Sequence, residues 1–388
     1  MNKIIQKISL LVLLATGFNT FGQRTFFEEF KTLQKQLVPD KRVAILDISL
    51  NDSAHPTIIR GETDIPEAQQ QLLQFLIEKG FSVVDSIRLL PDAIVGEKKW
   101  ALATLSVSNL RAGPDHASEL VSQALMGTPL KILDYKDGFY RVQTPEHYIG
   151  WMDASGLTCL TTDERNRWKQ ANRFVFNRLT GFVYDSPSTN GNIVSDLVLD
   201  NLFEAYQIVK GFLKIRIPDG RTGFVRKRDC ISMNKWCGKK PDMESILSIA
   251  KQMNGFPYLW GGASTKTVDC SGFVKLAYYS RGIILARDAS QQARYGEPVD
   301  FSTINNLQPG DLLFFGQTAQ KIIHVGIYLG NGYYIHASGL VHINSIKPDD
   351  PKYNVTVKKD LVAARRIINS LNTEGIDRVE NHPWYAIQ

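Results

Sequence analysis

Cysteine is scarce in this chain: four residues in 388, at Cys159, Cys230, Cys237 and Cys270, too few for a disulfide-stapled scaffold. Cysteine and histidine never fall at the close paired spacings of zinc sites, so no metal is expected. Cys270 has no near cysteine partner, which excludes a thiol redox couple there. Apart from one short stretch at the N-terminus, no long apolar run is present, and stable membrane insertion is not expected. Excess charge of one sign is small, formally +6, and no nucleic-acid partner is expected.

What is present begins with Lys3 and Lys7 flanking an apolar run from Ile8 to Ala15, followed by the small residues around Thr20-Phe21-Gly22. This reads as a secretory signal over residues 1–22, too short for a span, with no cysteine to carry a lipid. The mature chain is expected to start near Gln23 and to be secreted and periplasmic. In an oxidising compartment a nucleophilic cysteine must stay outside any disulfide. Cys230 and Cys237 stand close enough in sequence to bridge, or to remain a pair of buried thiols; sequence leaves both open.

The length suggests two or three domains. Residues 23–97 read as a helix from Phe26 to Leu37, a strand over Arg42–Ile48, a helix opened by Asp64 as cap and Pro66 in its first turn, and a strand over Phe81–Ile87. Two similar stretches follow, at residues 98–162 and 163–237, with a repeat of roughly seventy residues. Val107–Pro114, Gly127–Leu133, Phe139–Val142 and Gly150–Met152 have counterparts in Gly181–Tyr184, Asn201–Tyr206, Gly211–Arg216 and Gly223–Val225. Short strands divided by Gly, Asp and Pro turns suit closed five- or six-stranded barrels, and their order resembles bacterial SH3-like domains. A polar hinge at Gly238–Asp242 precedes residues 238–371, and residues 372–388 form a C-terminal extension.

The chemistry-bearing residues lie beyond that hinge. Cys270 opens an amphipathic segment in which Asp269 can cap and Phe273, Val274, Ala277 and Tyr278 make one apolar face, ending at Gly282. A helix start offers free N–H groups and the positive dipole end, which favour thiolate. Taken alone, Cys270 reads more readily as an inert core thiol. His324 and His336 lie on strand-like runs around Gly330-Asn331-Gly332. A three-residue loop there sets His324 opposite Ser338 and His336 opposite Gly326, so both rings share a face; a two-residue loop breaks that parity. One imidazole can then act as base and the second orient it.

Tyr258-Leu259-Trp260-Gly261-Gly262, Asp269-Cys270-Ser271-Gly272-Phe273-Val274, Leu307-Gln308-Pro309-Gly310-Asp311-Leu312, His324-Val325-Gly326-Ile327-Tyr328 and His336-Ala337 resemble the NlpC/P60 family, in the family's order, over about one third of the chain. The resemblance implies an α+β architecture: a papain-like catalytic domain preceded by two small SH3-like β-barrels. It implies a triad of Cys270, His324 and His336, with Tyr258 beside the nucleophile and no cofactor. The whole layout resembles γ-D-glutamyl-L-diamino acid endopeptidases acting on peptidoglycan stem peptides with a free N-terminal L-alanine. By that resemblance Glu119 and Tyr148 of the first barrel recognise the alanine amine, although Glu119 also reads as a solvated charge and Tyr148 as packing beside Trp151. Arg287 would fork onto a carboxylate, while Asp269, Ser271 and Asp288 would meet substrate backbone or amine; Asp288 also reads as a helix cap. Ala286 and Ala289 depart from the proline and serine common in relatives. The competing expectations are a wall-binding protein with a blocked papain-like domain and an amidase or acyltransferase of the same fold.

Overall fold

The computed structural model describes residues 26–51, 55–238, 240–353 and 361–386. The expected signal segment lies outside them. Among the described residues no helix is long and apolar enough to cross a membrane. The chain divides into two compact units, one ending at Ala93 and the other beginning at Ile94.

In the first unit residues 26–37 form helix α1. Strands β1 (Leu46–Asn51), β2 (Thr57–Thr63) and β3 (Val83–Leu89) make one sheet, and helix α2 (Pro66–Glu78) connects β2 to the parallel β3. The strand that precedes the helix is therefore β2, which was not anticipated, and not the Arg42–Ile48 segment, whose first four residues stay outside the sheet. Pro66 does occupy the first turn, where its missing N–H costs nothing, but Asp64 does not cap. The N-cap is Ile65, and Asp64 Oδ1 instead accepts the Ile45 N–H at 2.6 Å, tying the helix entry to the sheet. Phe30, Ile59, Leu72 and Leu76 fill this unit's core.

The second unit opens with two seven-stranded, antiparallel SH3-like barrels. The first contains β4 (Trp100–Ala103), β5 (Val107–Arg111), β6 (Leu120–Leu125), β7 (Pro129–Lys136), β8 (Phe139–Gln143), β9 (Ile149–Asp153) and β10 (Leu157–Leu160). After helix α3 (Thr162–Gln170) come β11 (Arg173–Phe176), β12 (Thr180–Tyr184), β13 (Ile193–Val198), β14 (Leu202–Val209), β15 (Phe212–Arg216), β16 (Thr222–Arg226) and β17 (Cys230–Ser232). The sheet orders β10-β4-β7-β8-β9-β5-β6 and β17-β11-β14-β15-β16-β12-β13 coincide strand for strand. Backbone specials coincide too: the Asp137-Gly138 turn, with both φ positive, corresponds to Lys210-Gly211, and the left-handed Gly127 to Asp200. Each barrel has two more strands than the five expected at minimum, because the short closing strands β4, β10, β11 and β17 carry little alternation of their own.

Helix α4 (Met233–Cys237) and helix α5 (Met243–Gln252), capped by Asp242 Oδ1 on the Ser245 N–H at 2.7 Å, lead into the last domain. A small hairpin, β18 (Ala263–Ser264) with β19 (Thr267–Val268), delivers the chain to helix α6 (Cys270–Tyr279). Then come β20 (Ile283–Leu285), helix α7 (Ala289–Gln292), β21 (Glu297–Pro298), β22 (Leu312–Gly316), β23 (Ile322–Gly330), β24 (Tyr333–Ser338), β25 (Leu340–Ser345), β26 (Leu361–Arg366) and β27 (Ile376–Arg378). The antiparallel sheet runs β21-β26-β22-β23-β24-β25. α6 lays Phe273, Val274, Ala277 and Tyr278 on it, against Val325, Ile327, Ile335 and Ala337. Burial of large side chains such as Phe273 and Val274 contributes about 1.5–3 kcal/mol each, which makes the start of α6 a fixed point relative to the sheet. Both barrels reach this core at equivalent positions, Leu125 and Val198.

The C-terminal extension is part of the fold. β27 pairs with β20, and the buried Tyr385 donates or accepts a 3.0 Å bond with Tyr279. All four cysteines are free thiols, so Cys230 and Cys237 do not bridge; each instead lies against the carbonyl four residues earlier in its chain, Arg226 and Met233.

Candidate active site

Asp269 caps α6 as expected: its Oδ1 accepts the Gly272 N–H at 2.7 Å. The same carboxylate takes the Gly261 N–H at 3.0 Å and both arms of Arg287, Nη1 at 3.1 Å and Nη2 at 2.5 Å. Ser271 Oγ adds a bond to Asp269 Oδ1 at 3.3 Å and receives Arg287 Nη1 at 3.0 Å. Arg287, only 1% exposed, completes the knot by donating Nε to Ser122 Oγ of the first barrel at 3.0 Å. Burial opposes its charge, but Asp269, Asp288 and Tyr148 raise its pKa above the ordinary value. The guanidinium fork therefore closes on Asp269 and does not open onto the cleft, and Asp269 and Ser271 are likewise engaged inside the protein. These three residues hold the nucleophile helix and the barrel together, engaged with one another. Asp288 caps the short helix α7, with its backbone N–H on Gln291 Oε1 at 3.1 Å, and its Oδ1 lies 4.0 Å from Arg287 Nη1.

The thiol does not follow its helix position. Burial pushes Cys270 up to about 11, and the Asp269 charge adds to this, while the Val325 N–H, Arg287 and the Ser271 N–H oppose it. A helix terminus contributes a few tenths of a kcal/mol to about 2, too little here against desolvation of a 7% exposed sulfur. Burial thus works against the thiolate that the helix start favours.

The histidines meet. His324 Nε2 and His336 Nδ1 are 2.7 Å apart. Their parity is the predicted one by a different route: Gly330 pairs with Tyr333 across a two-residue Asn331-Gly332 turn, both with positive φ, and a bulge between Tyr328 and Gly330 restores the register. Ile327 then pairs with Ile335, which carries both rings to one face. The Cβ of His336 would lie 3.1 Å from a Cβ built on Gly326, so only a residue without a side chain fits across from the ring. Burial lowers His324 to about 3, helped by His336 and His342. Burial also lowers His336 to about 4, against the raising effect of Asn344. Both rings are neutral near pH 7. The Cys270 thiol accepts the N–H of Val325, the residue after His324, and the half-buried Tyr258 is close enough to feel Cys270, its hydroxyl pushed up to about 12 by burial first and then by that thiol.

The first barrel docks on the segment that precedes the nucleophile helix. Trp260 Nε1, on an exposed indole, donates to Glu119 Oε1 at 2.6 Å. Gln123 Oε1 accepts the Ala263 N–H at 2.9 Å and Ser264 Oγ at 3.0 Å. Gly261, φ +79°, lies so close to the Leu120 carbonyl that a Cβ would stand 2.3 Å from its oxygen. Tyr148 is buried here, near Arg287. Gln123, Ser122 and Asn344 were not anticipated. Asn344 carried a usable signal: β24 and β25 pair His336 with His342 across the single-residue turn at Gly339, so Asn344, two residues on, falls on the imidazole face.

The sequence pattern of the NlpC/P60 family matches residues 255–366, and that of the bacterial dipeptidyl-peptidase SH3 domain matches residues 110–157. Dipeptidyl-peptidase 6 of Lysinibacillus sphaericus is 28% identical over 289 residues, covering 70% of this chain and 99% of that protein. The γ-D-glutamyl-L-lysine dipeptidyl-peptidase of Bacillus cereus is 30% identical, over 57% of this chain and 68% of its own. A crystal structure of an NlpC/P60 family protein from Bacillus cereus shares the fold with a TM-score of 0.59 at 24% identity, covering 69% of this chain and 99% of that one. With a helix-borne cysteine packed on a sheet that aligns two histidines, and an SH3-like barrel that matches the dipeptidyl-peptidase pattern, the chain belongs to the NlpC/P60 family and is a cysteine peptidase.

Proposed function

We propose that this peptidase is secreted to the periplasm and hydrolyses the γ-D-glutamyl-L-diamino acid bond of peptidoglycan stem peptides that carry a free N-terminal L-alanine, in cell-wall turnover or recycling. The observation that supports the reading is the docking of the first barrel on the loop that precedes Cys270, with Glu119 Oε1 2.6 Å from Trp260 Nε1. A carboxylate there can meet a substrate ammonium in a charge-assisted bond, and a chain blocked at that amine would leave it unmatched. The names of the Bacillus relatives support the γ-D-glutamyl specificity.

In this reading His324 takes the thiol proton as Cys270 Sγ attacks the γ-carbonyl carbon, so the thiolate exists only along the attack. The oxyanion meets the Cys270 N–H at the helix start, with the neutral Tyr258 hydroxyl as second donor. His324 returns the proton to the leaving amine as the C–N bond breaks. Water, deprotonated by the same ring, then opens the thioester, which restores the thiol and releases L-Ala-D-Glu. Glu119, Tyr148 and Asp288 line the substrate's alanine and glutamyl ends.

Incubation with L-Ala-γ-D-Glu-L-Lys and with its diaminopimelate counterpart should release L-Ala-D-Glu, and Cys270→Ala should abolish it. Product from the cysteine variant, or none from the wild type, would defeat the proposal. An N-acetylated substrate cleaved at the same rate would remove Glu119 and Tyr148 from the site. The neutral pair has its own test. With the thiol near 11, alkylation by iodoacetamide should climb about tenfold per pH unit between pH 6 and 9; a plateau across that range would mean a preformed thiolate.

A further inference from the structure

Two neutral imidazoles joined by one hydrogen bond have a proton ambiguity. Either His324 Nε2 donates to His336 Nδ1, or the reverse, and the two choices have opposite consequences. Only in the first is the other nitrogen of His324, Nδ1, unprotonated and able to accept the proton of Cys270. The fold resolves the ambiguity at the far end of the chain of bonds. His336 Nε2 lies 2.7 Å from Asn344 Oδ1, and Asn344 Nδ2 donates to the Lys352 carbonyl at 3.0 Å. A carbonyl cannot donate, so the Asn344 amide must turn its NH2 towards Lys352 and its oxygen towards His336. An oxygen facing His336 Nε2 requires a proton on that nitrogen, which leaves His336 Nδ1 as the acceptor and obliges His324 Nε2 to carry the donor proton.

We propose that Asn344 is a positioning residue of the catalytic site: anchored by the Lys352 carbonyl, it sets the tautomer of His336 and through it that of His324, keeping His324 Nδ1 unprotonated for the Cys270 thiol. This rests on the reading of Cys270 and His324 as nucleophile and base. When His324 takes the thiol proton at Nδ1, its Nε2–H still points at His336 Nδ1, and the new charge is spread along a chain of bonds that ends on a neutral amide. The titratable groups facing His336 are His324, His342 and Tyr334, with ring centroids at 4.9, 4.4 and 4.8 Å.

Asn344→Leu removes the acceptor at similar volume. It should lower kcat about tenfold to a hundredfold with KM changed less than twofold, and the long-range 15N–1H spectrum should show His336 losing its Nε2–H form. Asn344→Asp keeps an acceptor but adds charge, which favours the His336 imidazolium. Below that raised pKa, Nδ1 also carries a proton and can no longer accept from His324. The variant should therefore be close to wild type at high pH and lose activity as pH falls, with its acid limb shifted up by a pH unit or more. Wild-type kcat in Asn344→Leu, or a wild-type pH profile in Asn344→Asp should the leucine variant not fold, overturns the proposal. Full turnover by Cys270→Ala would instead defeat the catalytic reading beneath it, so the two failures are distinguishable.

Discussion

The two barrels are one design used twice, and the residues they place at equivalent points have parted company. Ala112 N–H donates to the Glu119 carbonyl at 2.9 Å in the first, and Asp185 N–H to the Asn192 carbonyl at 2.9 Å in the second. At the next step Glu119 reaches out to Trp260, while Asn192 turns its amide back onto Asp185 at 2.7 Å, inside its own hairpin. Gln123 and its counterpart Asp196 both reach the β18–β19 hairpin, through Ala263 and Ser264 in one case and Lys266 in the other. Duplication thus preserved the docking of both barrels, whereas at this position Glu119 reaches Trp260 and Asn192 stays within its own hairpin. A small closed sheet tolerates this because its core faces inward and its loops are free to diverge.

The sharpest break of the comparison is at Arg287, which bonds the first barrel's Ser122 and the Asp269 cap of the nucleophile helix together. Arg287→Leu leaves the Asp269 carboxylate buried without its counter-charge and should cost about 3–5 kcal/mol, read by urea denaturation, with peptidase activity lost in parallel. The second barrel docks through the exposed Lys266–Asp196 pair instead, and removing it by Lys266→Ala should change stability by less than about 1 kcal/mol. Similar losses from both changes would show that docking does not distinguish the barrels.

A second contrast concerns selectivity. Glu119→Gln should reduce kcat/KM on the free-amine tripeptide by about tenfold to a hundredfold, the worth of one charge-assisted bond, and erase discrimination against the N-acetylated peptide. Asn192→Ala at the equivalent place should leave both rates within twofold. Equal effects would mean that the two hairpins share a role.

The smallest effect is expected at the left-handed turn where Gly127 and Asp200 correspond. Gly127 is forced, since a Cβ there would stand 2.2 Å from the Leu202 carbonyl oxygen. Asp200 has room for a side chain but no hydrogen-bond partner for either carboxyl oxygen, and burial holds it well above the usual carboxylate range, with Arg281 opposing. A carboxyl raised in the folded state contributes most below its unfolded pKa, about 4, and that contribution is lost as pH rises through the folded value. Asp200→Asn, which tolerates the same φ, should gain about 1–2 kcal/mol at pH 7 and flatten the fall in stability above pH 4. Thermal unfolding at pH 4 and pH 7 reads both; an unchanged pH slope would show the carboxyl is not the cause.

Much of this was legible in the chain. Asp269 before an apolar 3.6-residue face announced a capped helix, Gly330-Asn331-Gly332 announced the hairpin, and the Gly- and Asp-punctuated strands announced a repeat. These are local signals, each carried by a few adjacent residues, so sequence alone determined the helix that bears Cys270, the hairpin that carries both histidines, and the barrels, whereas the parity that aligns His324 with His336 needed the bulge between Tyr328 and Gly330. The strand β2 and the N-cap at Ile65 were missed because sheet pairing with β1 and β3, not local propensity, sets their place. The direction of the Cys270 shift, the closure of Arg287 on Asp269, the arrival of Glu119 at Trp260 and the bond from His336 to Asn344 are another class. They depend on burial and on partners brought from distant parts of the chain. Desolvation and hydrogen-bond saturation have no period in a sequence, and only the packed tertiary structure decided them.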